Sequence, residues 1–134
     1  YFSDITRMVV LGQPPEGYNE IHQIVDRAVE AALQAARPGV RACDVDAAAR
    51  SIITDAGYGE YFIHRTGHGL GSEVHEQPYL TSTSKTVLEE GMVFSIEPGI
   101  YLPNHFGIRL EEIVILRSDG PEIFSELPRT LNIL

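Results

Sequence analysis

Two histidines, His68 and His75, stand in the segment Gly67-His68-Gly69-Leu70-Gly71-Ser72-Glu73-Val74-His75-Glu76-Gln77-Pro78. A neutral imidazole is a common metal ligand and also a useful donor to a reacting carbonyl. Glycine at 67, 69 and 71 removes the Cβ where a backbone must turn sharply or come close to something bound. Alone, the segment reads equally as a Gly-rich loop with two exposed histidines. The acids further along the chain weigh against that blander reading.

The run from Gly107 to Arg117 has the composition of a strand, and its period of two divides it into two faces. One face carries Ile108, Leu110, Glu112, Val114 and Leu116, and the other Arg109, Glu111, Ile113 and Ile115. Both are apolar toward the C-terminal end, so the strand is expected to be covered on both sides, with Glu111 and Arg109 in or near the interior. A buried carboxylate needs a cation, a hydrogen-bond network or a proton. Glu97 raises the same question in Met92-Val93-Phe94-Ser95-Ile96-Glu97-Pro98-Gly99, where Pro98 marks a strand end at which a side chain can be aimed. Asp4 is the third case, between Phe2 and Thr6 on an opening apolar run. Three separate strand-end acids, paired with Arg7, Arg109 or solvent, are one account. A shared metal site formed with a Gly-flanked histidine is the more economical one. A set rich in oxygen with a single imidazole suits Mn²⁺, with Co²⁺ and Zn²⁺ as alternatives.

These residues must be positioned by a regular framework. Residues 1 to 11 are rich in β-branched and aromatic types and stop at Gly12 and Pro14-Pro15, which predicts a strand. From Gly17 to Arg37, apolar residues recur at three- and four-residue steps (Ile21, Ile24, Val25, Ala28, Ala32, Leu33, Ala36), an amphipathic helix ended by Pro38-Gly39. A second helix is expected from about Asp44 to Ala56, with Gly57 as its stop. Tyr61-Phe62-Ile63 reads as a short strand leading into the histidine loop. Met92 to Leu102 and Gly107 to Arg117 read as strands, and Ser118-Asp119-Gly120 as a turn into a shorter one around Ile123-Phe124. The fold class is α+β, helices packed on one face of a largely antiparallel sheet.

At 134 residues, 43% hydrophobic and 22% charged, the composition is that of one globular domain rather than a disordered chain. A net charge of -9 argues against a nucleic-acid or anionic-membrane surface, both of which need clustered Lys and Arg. No apolar run approaches the roughly 18 residues that span a bilayer. The single cysteine, Cys43, forms no intrachain disulfide and reads as packing, which together point to the cytoplasm. The opening on an apolar strand without a methionine suggests a piece of something longer.

Taken together, these motifs resemble the catalytic domain of the pita-bread metallopeptidases, in particular the Xaa-Pro dipeptidase (prolidase) and aminopeptidase P branch. Ser3-Asp4-Ile5-Thr6-Arg7 is similar to the strand carrying that family's second metal-binding aspartate. His64-Arg65-Thr66-Gly67-His68-Gly69-Leu70-Gly71 resembles its histidine-ligand loop, and His75-Glu76-Gln77-Pro78 its catalytic histidine motif. The segments Glu90 to Gly99 and Gly107 to Glu112 resemble the strands holding its two glutamate ligands, and Leu127-Pro128-Arg129-Thr130-Leu131 the branch's C-terminal ending.

The resemblance implies metal ligands Asp4, His68, Glu97 and Glu111, two divalent ions in a full site, and a peptide substrate with proline near its N-terminus. It implies that His75 contacts the substrate carbonyl, that Glu97 moves the proton of the attacking water, and that His64 helps shape the site. Arg109 is expected to orient Glu111 or Asp4. The family's further aspartate and histidine, upstream of the Asp4 strand, have no counterpart here, since Asp26, Asp44, Asp46 and Asp55 lie on or beside helices. Residues 1–134 are therefore expected to form the C-terminal part of the catalytic domain without its upstream part. One ion site at most is then expected to fill well, and the isolated chain is expected to self-associate and hydrolyse Xaa-Pro substrates weakly. A binding module that keeps the fold without turnover is the alternative function.

Overall fold

The computed structural model describes residues 1–134. Helix α1 (Tyr18–Ala35) and helix α2 (Ala42–Asp55) pack against one another and against a five-stranded antiparallel sheet. The sheet runs in the order β3 (Glu76–Leu80), β2 (Gly67–Gly69), β4 (Val93–Ile96), β7 (Glu112–Arg117), β8 (Gly120–Ile123). A hairpin of β5 (Gly99–Leu102) and β6 (Phe106–Arg109) stands apart from it. So does a short parallel pair of β1 (Val9–Val10) and β9 (Asn132–Ile133). The α+β class and the mostly antiparallel sheet expected from the sequence are what the chain forms. No helix is long and apolar enough to cross a membrane.

Both helices follow from their periodicity. The buried stripe of α1 is Ile21, Ile24, Val25, Ala28, Val29, Ala32 and Leu33. Ala28, Ala32, Ala42 and Ala49 are fully buried, and such small side chains let the two helix axes approach closely. Ile53 of α2 and Phe94, Leu110, Val114 and Leu116 of the sheet complete one core of 24 apolar residues. Each large aliphatic among them contributes about 1.5–3 kcal/mol by leaving water.

Four predicted strands take a different form. Residues 1 to 11 are not one strand: only Val9–Val10 pairs, and Thr6 makes a single bridge to Glu111. Apolar and β-branched types alone do not make a strand, because the backbone needs a neighbour for its ladder, and before Thr6 the backbone bonds only through the Phe2 N–H to the Gly71 carbonyl. Tyr61-Phe62-Ile63 is not a strand either. A single 3₁₀ turn (Gly59–Tyr61) precedes an irregular segment whose Phe62 carbonyl accepts from the Arg50 guanidinium. Met92 to Leu102 is interrupted at Glu97-Pro98, where proline has no N–H for a ladder, and splits into β4 and β5. Gly107 to Arg117 divides likewise into β6 and β7, with Leu110 and Glu111 between them. In place of the expected histidine loop are two paired strands, β2 and β3, joined by the turn that carries His75.

Candidate metal centre

The breaks in the strands are where the acids sit. Glu97 follows β4, Glu111 precedes β7, and His68 is the central residue of β2, which pairs with β4. Asp4 arrives on the N-terminal segment that Thr6 pins to Glu111. Asp4, His68 and Glu111 each offer a ligand atom, and these atoms lie within 4.8 Å of one another. Glu97 joins them through His68, with Oε1 3.0 Å from Nε2, while Asp4 Oδ2 is 3.9 Å from the same nitrogen. Three of the four expected ligands therefore form one cluster, and Glu97 adjoins it at His68.

Two glycines make room for this. A Cβ on Gly67 would stand 1.9 Å from the Ser95 carbonyl oxygen, and one on Gly69 2.1 Å from that of Gln77. What comes close to these glycines is the backbone of the neighbouring strands. They seat His68 deep in the sheet, 2% exposed.

Hydrogen bonds fix the donors. Nδ1 of His68 lies 2.9 Å from the Gly69 carbonyl oxygen and donates to it, which leaves a lone pair on Nε2 of the neutral ring. That lone pair faces the Glu97 carboxylate, so two acceptors meet unless a proton or a metal ion lies between them. Ser95 Oγ accepts the His68 N–H at 2.9 Å and donates to Glu97 Oε1 at 3.1 Å. Thr6 Oγ1 donates to Glu111 Oε2 at 2.7 Å, but Glu111 Oε1 is buried without any partner. Burial, with the charges of Glu97 and Asp4 adding to it against the Thr6 hydrogen bond, pushes the Glu111 carboxyl up to about 7. An orphaned buried oxygen, an imidazole lone pair and two further carboxylates are a donor set that fits a divalent cation of hard or borderline character.

The remaining expected residues lie around this centre. His75 is exposed on the turn and places its ring edge-on to His68, with centroids 4.3 Å apart. His64 does not touch the acids; its Nε2 is 2.7 Å from the Tyr101 hydroxyl. Arg109 is exposed rather than interior. Its Nε donates to Thr6 Oγ1 at 3.2 Å and stands 3.8 Å from Glu97 Oε2, so its hydrogen-bonded path to Glu111 runs through Thr6. Arg7 pairs with Glu112, at 2.5 Å, and not with Asp4.

Sequence reasoning missed Thr6, Ser95 and Tyr101. Nothing local signals the first two, since a hydroxyl is ordinary on a strand and its partner lies elsewhere in the chain. Tyr101 carried a faint sign, because it is flanked by Gly99 and sits opposite Gly107, where Cβ atoms would approach its ring within 3.0 Å and 2.8 Å.

Comparison with known proteins agrees with this architecture. The family model described as metallopeptidase family M24 matches residues 1–118. An Xaa-Pro dipeptidase of Lactobacillus delbrueckii subsp. lactis is 50% identical over 134 residues, all of this chain and 36% of the relative. Among solved structures, the Xaa-Pro dipeptidase from Bacillus anthracis superposes with a TM-score of 0.96 at 45% identity, covering 98% of this chain and 37% of that one. The X-Pro aminopeptidase from Thermotoga maritima superposes with a TM-score of 0.95 at 46% identity, covering 98% and 38%. The chain belongs to metallopeptidase family M24, and its fold is the pita-bread fold of those relatives. It spans little more than a third of the length of the relatives it matches.

Proposed function

We propose that the protein carrying this chain hydrolyses the peptide bond before proline in Xaa-Pro dipeptides or at the N-terminus of short peptides, using divalent metal. The observation that carries this reading is the convergence of Asp4, His68 and Glu111 within 4.8 Å, with Glu97 against His68 and the buried Glu111 Oε1 unpartnered. The Xaa-Pro dipeptidase name of the Lactobacillus relative supports the choice of substrate. Manganese is the proposed metal, with cobalt and zinc as alternatives, and two ions are proposed for the full site.

Asp4, His68, Glu97 and Glu111 would hold the metal. Bound there, a divalent ion lowers the pKa of a coordinated water and polarises the scissile carbonyl. Glu97, held by Ser95, accepts the proton of the attacking water and passes it to the leaving amine. His75, exposed beside His68, donates to the carbonyl oxygen as negative charge develops on it. His64, anchored to Tyr101, shapes the wall of the substrate site. Arg109 steadies Thr6 and Glu97, and so the carboxylates that face the metal.

Self-association belongs to the same reading. Phe2, Ile5, Phe124 and Leu127 are exposed and border an apolar cavity of about 490 Å³ beside Asp4, a patch of the kind that favours association.

The test is release of proline from Xaa-Pro dipeptides by the natural polypeptide, assayed after chelation and again after Mn²⁺ is restored. Turnover that is lost and regained supports the reading. Turnover that survives complete chelation, or hydrolysis indifferent to proline, overturns it.

A further inference from the structure

Away from the metal centre, one buried acid is satisfied on every side. Asp46 lies on α2, is fully buried, and neighbours Val45 and Ala49, also fully buried. An apolar residue would fill such a position without the cost of desolvating a charge. Core packing therefore does not account for a carboxylate there.

Its hydrogen bonds do. Asp46 Oδ1 accepts from the Thr66 N–H at 3.2 Å, from Thr66 Oγ1 at 2.8 Å and from Arg50 Nη2 at 3.0 Å, while Oδ2 accepts from Arg50 Nε at 3.0 Å. The Arg50 guanidinium donates onward to the carbonyls of Phe62 at 3.0 Å and His64 at 2.9 Å, and covers the Phe62 ring at 4.1 Å. One fork-shaped ion pair on a helix thus ties both ends of the irregular segment 62–66.

That segment leads into the centre from two directions. His64 belongs to it, and His68 follows it by two residues. Its Thr66 carbonyl accepts the N–H of Glu97 at 2.7 Å. Thr66 therefore stands between Asp46 on one side and Glu97 on the other, and a shift of the segment moves an imidazole and a carboxylate together. A helix is a stiff reference for such a task, whereas segment 62–66 bonds to the sheet's backbone only at its last residue, where the Thr66 N–H also donates to the Leu80 carbonyl at 3.0 Å.

We infer that Asp46 and Arg50 are positioning residues: the pair sets the 62–66 segment and, through Thr66, the separation of His68 from Glu97. This rests on the metal-centre reading above. A group acting in this way changes the affinity and geometry of the centre without touching metal or substrate, and partners at that remove are worth 10–100-fold in affinity.

The experiment is Mn²⁺ titration by calorimetry on the natural polypeptide, together with the visible absorption spectrum of the Co²⁺-loaded protein. Asp46→Asn keeps the shape but faces Arg50 with an amide; it is expected to weaken Mn²⁺ binding by roughly 10–100-fold and to alter the Co²⁺ spectrum. Thr66→Val removes one donor at near-constant volume and is expected to weaken binding in the same direction, which decides the matter should Asp46→Asn fail to fold. Ile53→Val, buried on the same helix with no bond to the segment, lowers stability and is expected to leave Mn²⁺ affinity and the Co²⁺ spectrum unchanged. Folded Asp46→Asn and Thr66→Val variants with wild-type affinity and spectrum overturn this inference alone. An Ile53→Val variant that loses affinity as much as they do also overturns it, because general loosening then explains the effect. A wild-type protein that takes up no Mn²⁺ or Co²⁺ overturns the metal reading, and this inference with it.

Discussion

Nε2 of His68 stands 3.0 Å from Oε1 of Glu97 while its Nδ1 donates to the Gly69 carbonyl, so without a proton or a metal ion between them the two face each other as acceptor to acceptor. The contact is repulsive for a neutral ring and an ionised carboxylate, and Glu111 Oε1 beside them has no partner at all. Stability and metal uptake are therefore expected to oppose one another at this centre.

Glu111→Gln is where that opposition is measured. Removing a buried charge that lacks a cation is expected to stabilise the metal-free protein at pH 8 by about 1–3 kcal/mol, even though a hydrogen bond to Thr6 is altered. The same change is expected to abolish the increase in stability that saturating Mn²⁺ gives the wild type. Urea denaturation with chelator and with Mn²⁺ reads both effects. A variant less stable in chelator that still responds to Mn²⁺ would show that Glu111 is held by the protein alone.

His75 offers a separation of chemistry from binding. It lies on the exposed turn beside His68 and outside the set of mutually close donors. His75→Ala is expected to lower kcat by about 10²–10³-fold, the loss that follows removal of one donor to a developing oxyanion. Manganese content by elemental analysis is expected to stay at the wild-type value. Loss of metal in this variant would make His75 a ligand.

The three glycines around His68 are not equivalent. A Cβ at 67 or 69 meets a carbonyl oxygen of a paired strand at 1.9 Å or 2.1 Å, and backbone has nowhere to go. Gly67→Ala and Gly69→Ala are each expected to cost about 3 kcal/mol, the upper end for overpacking. At Gly71 the nearest atom is the carboxylate oxygen of Glu76 at 2.9 Å, the end of a flexible side chain at the start of β3. Gly71→Ala is expected to stay within about 0.5 kcal/mol of wild type in thermal unfolding. Equal losses at all three positions would refute the close-approach explanation.

Local sequence carried what local physics decides. Helices α1 and α2 begin and end within about two residues of their predicted bounds, because periodicity and a Pro-Gly or Gly stop act within a few residues. The candidate ligand types were legible for a related reason: Glu97, Glu111 and Asp4 are acids on apolar runs, each needing an explanation at its own position. Partners were not legible. Thr6 is 105 residues from Glu111 in sequence, and Thr66 is 20 from Asp46. The strand break at Glu97-Pro98 was signalled by proline itself, whereas that at Leu110-Glu111 follows from which edge each strand finds, a property of the assembled sheet. The glycines were noticed but their neighbours were not, since spacing shows that room is needed and not for what.

Arg7 explains how the N-terminal segment keeps Asp4 in place. Its guanidinium donates to the Glu112 carboxylate, to the carbonyls of Thr6 and Glu111, and to those of Leu127 and Pro128. Glu112 is buried, and Arg129 approaches the same oxygen, Oε1, at 3.5 Å. Arg7→Ala leaves that carboxylate short of a cation and frees several carbonyls, so a loss of about 3–5 kcal/mol in chemical denaturation is expected. Arg7→Lys keeps the charge but cannot span the same acceptors, and is expected to recover only part of it. Full recovery by lysine would mean that charge alone matters.

His22 gives the metal-free fold a dependence on pH that is separate from the centre. It is buried on α1, its Nε2 has no partner, and burial holds its pKa below the usual 6.5 despite the opposing pull of Asp26. In the unfolded chain the same ring protonates at its ordinary value. For a depressed pKa the sign is fixed: the contribution is fully present above about 6.5 and is lost as pH falls below it, because the unfolded state binds a proton that the folded state resists. The carboxylates titrate over part of the same range, so the comparison that isolates His22 is wild type against His22→Gln in chelator, at intervals from pH 8 to pH 5. The wild type is expected to lose more stability than the variant between about pH 6.5 and 5. Parallel curves would mean that the ring protonates as readily in the folded protein as in the unfolded chain.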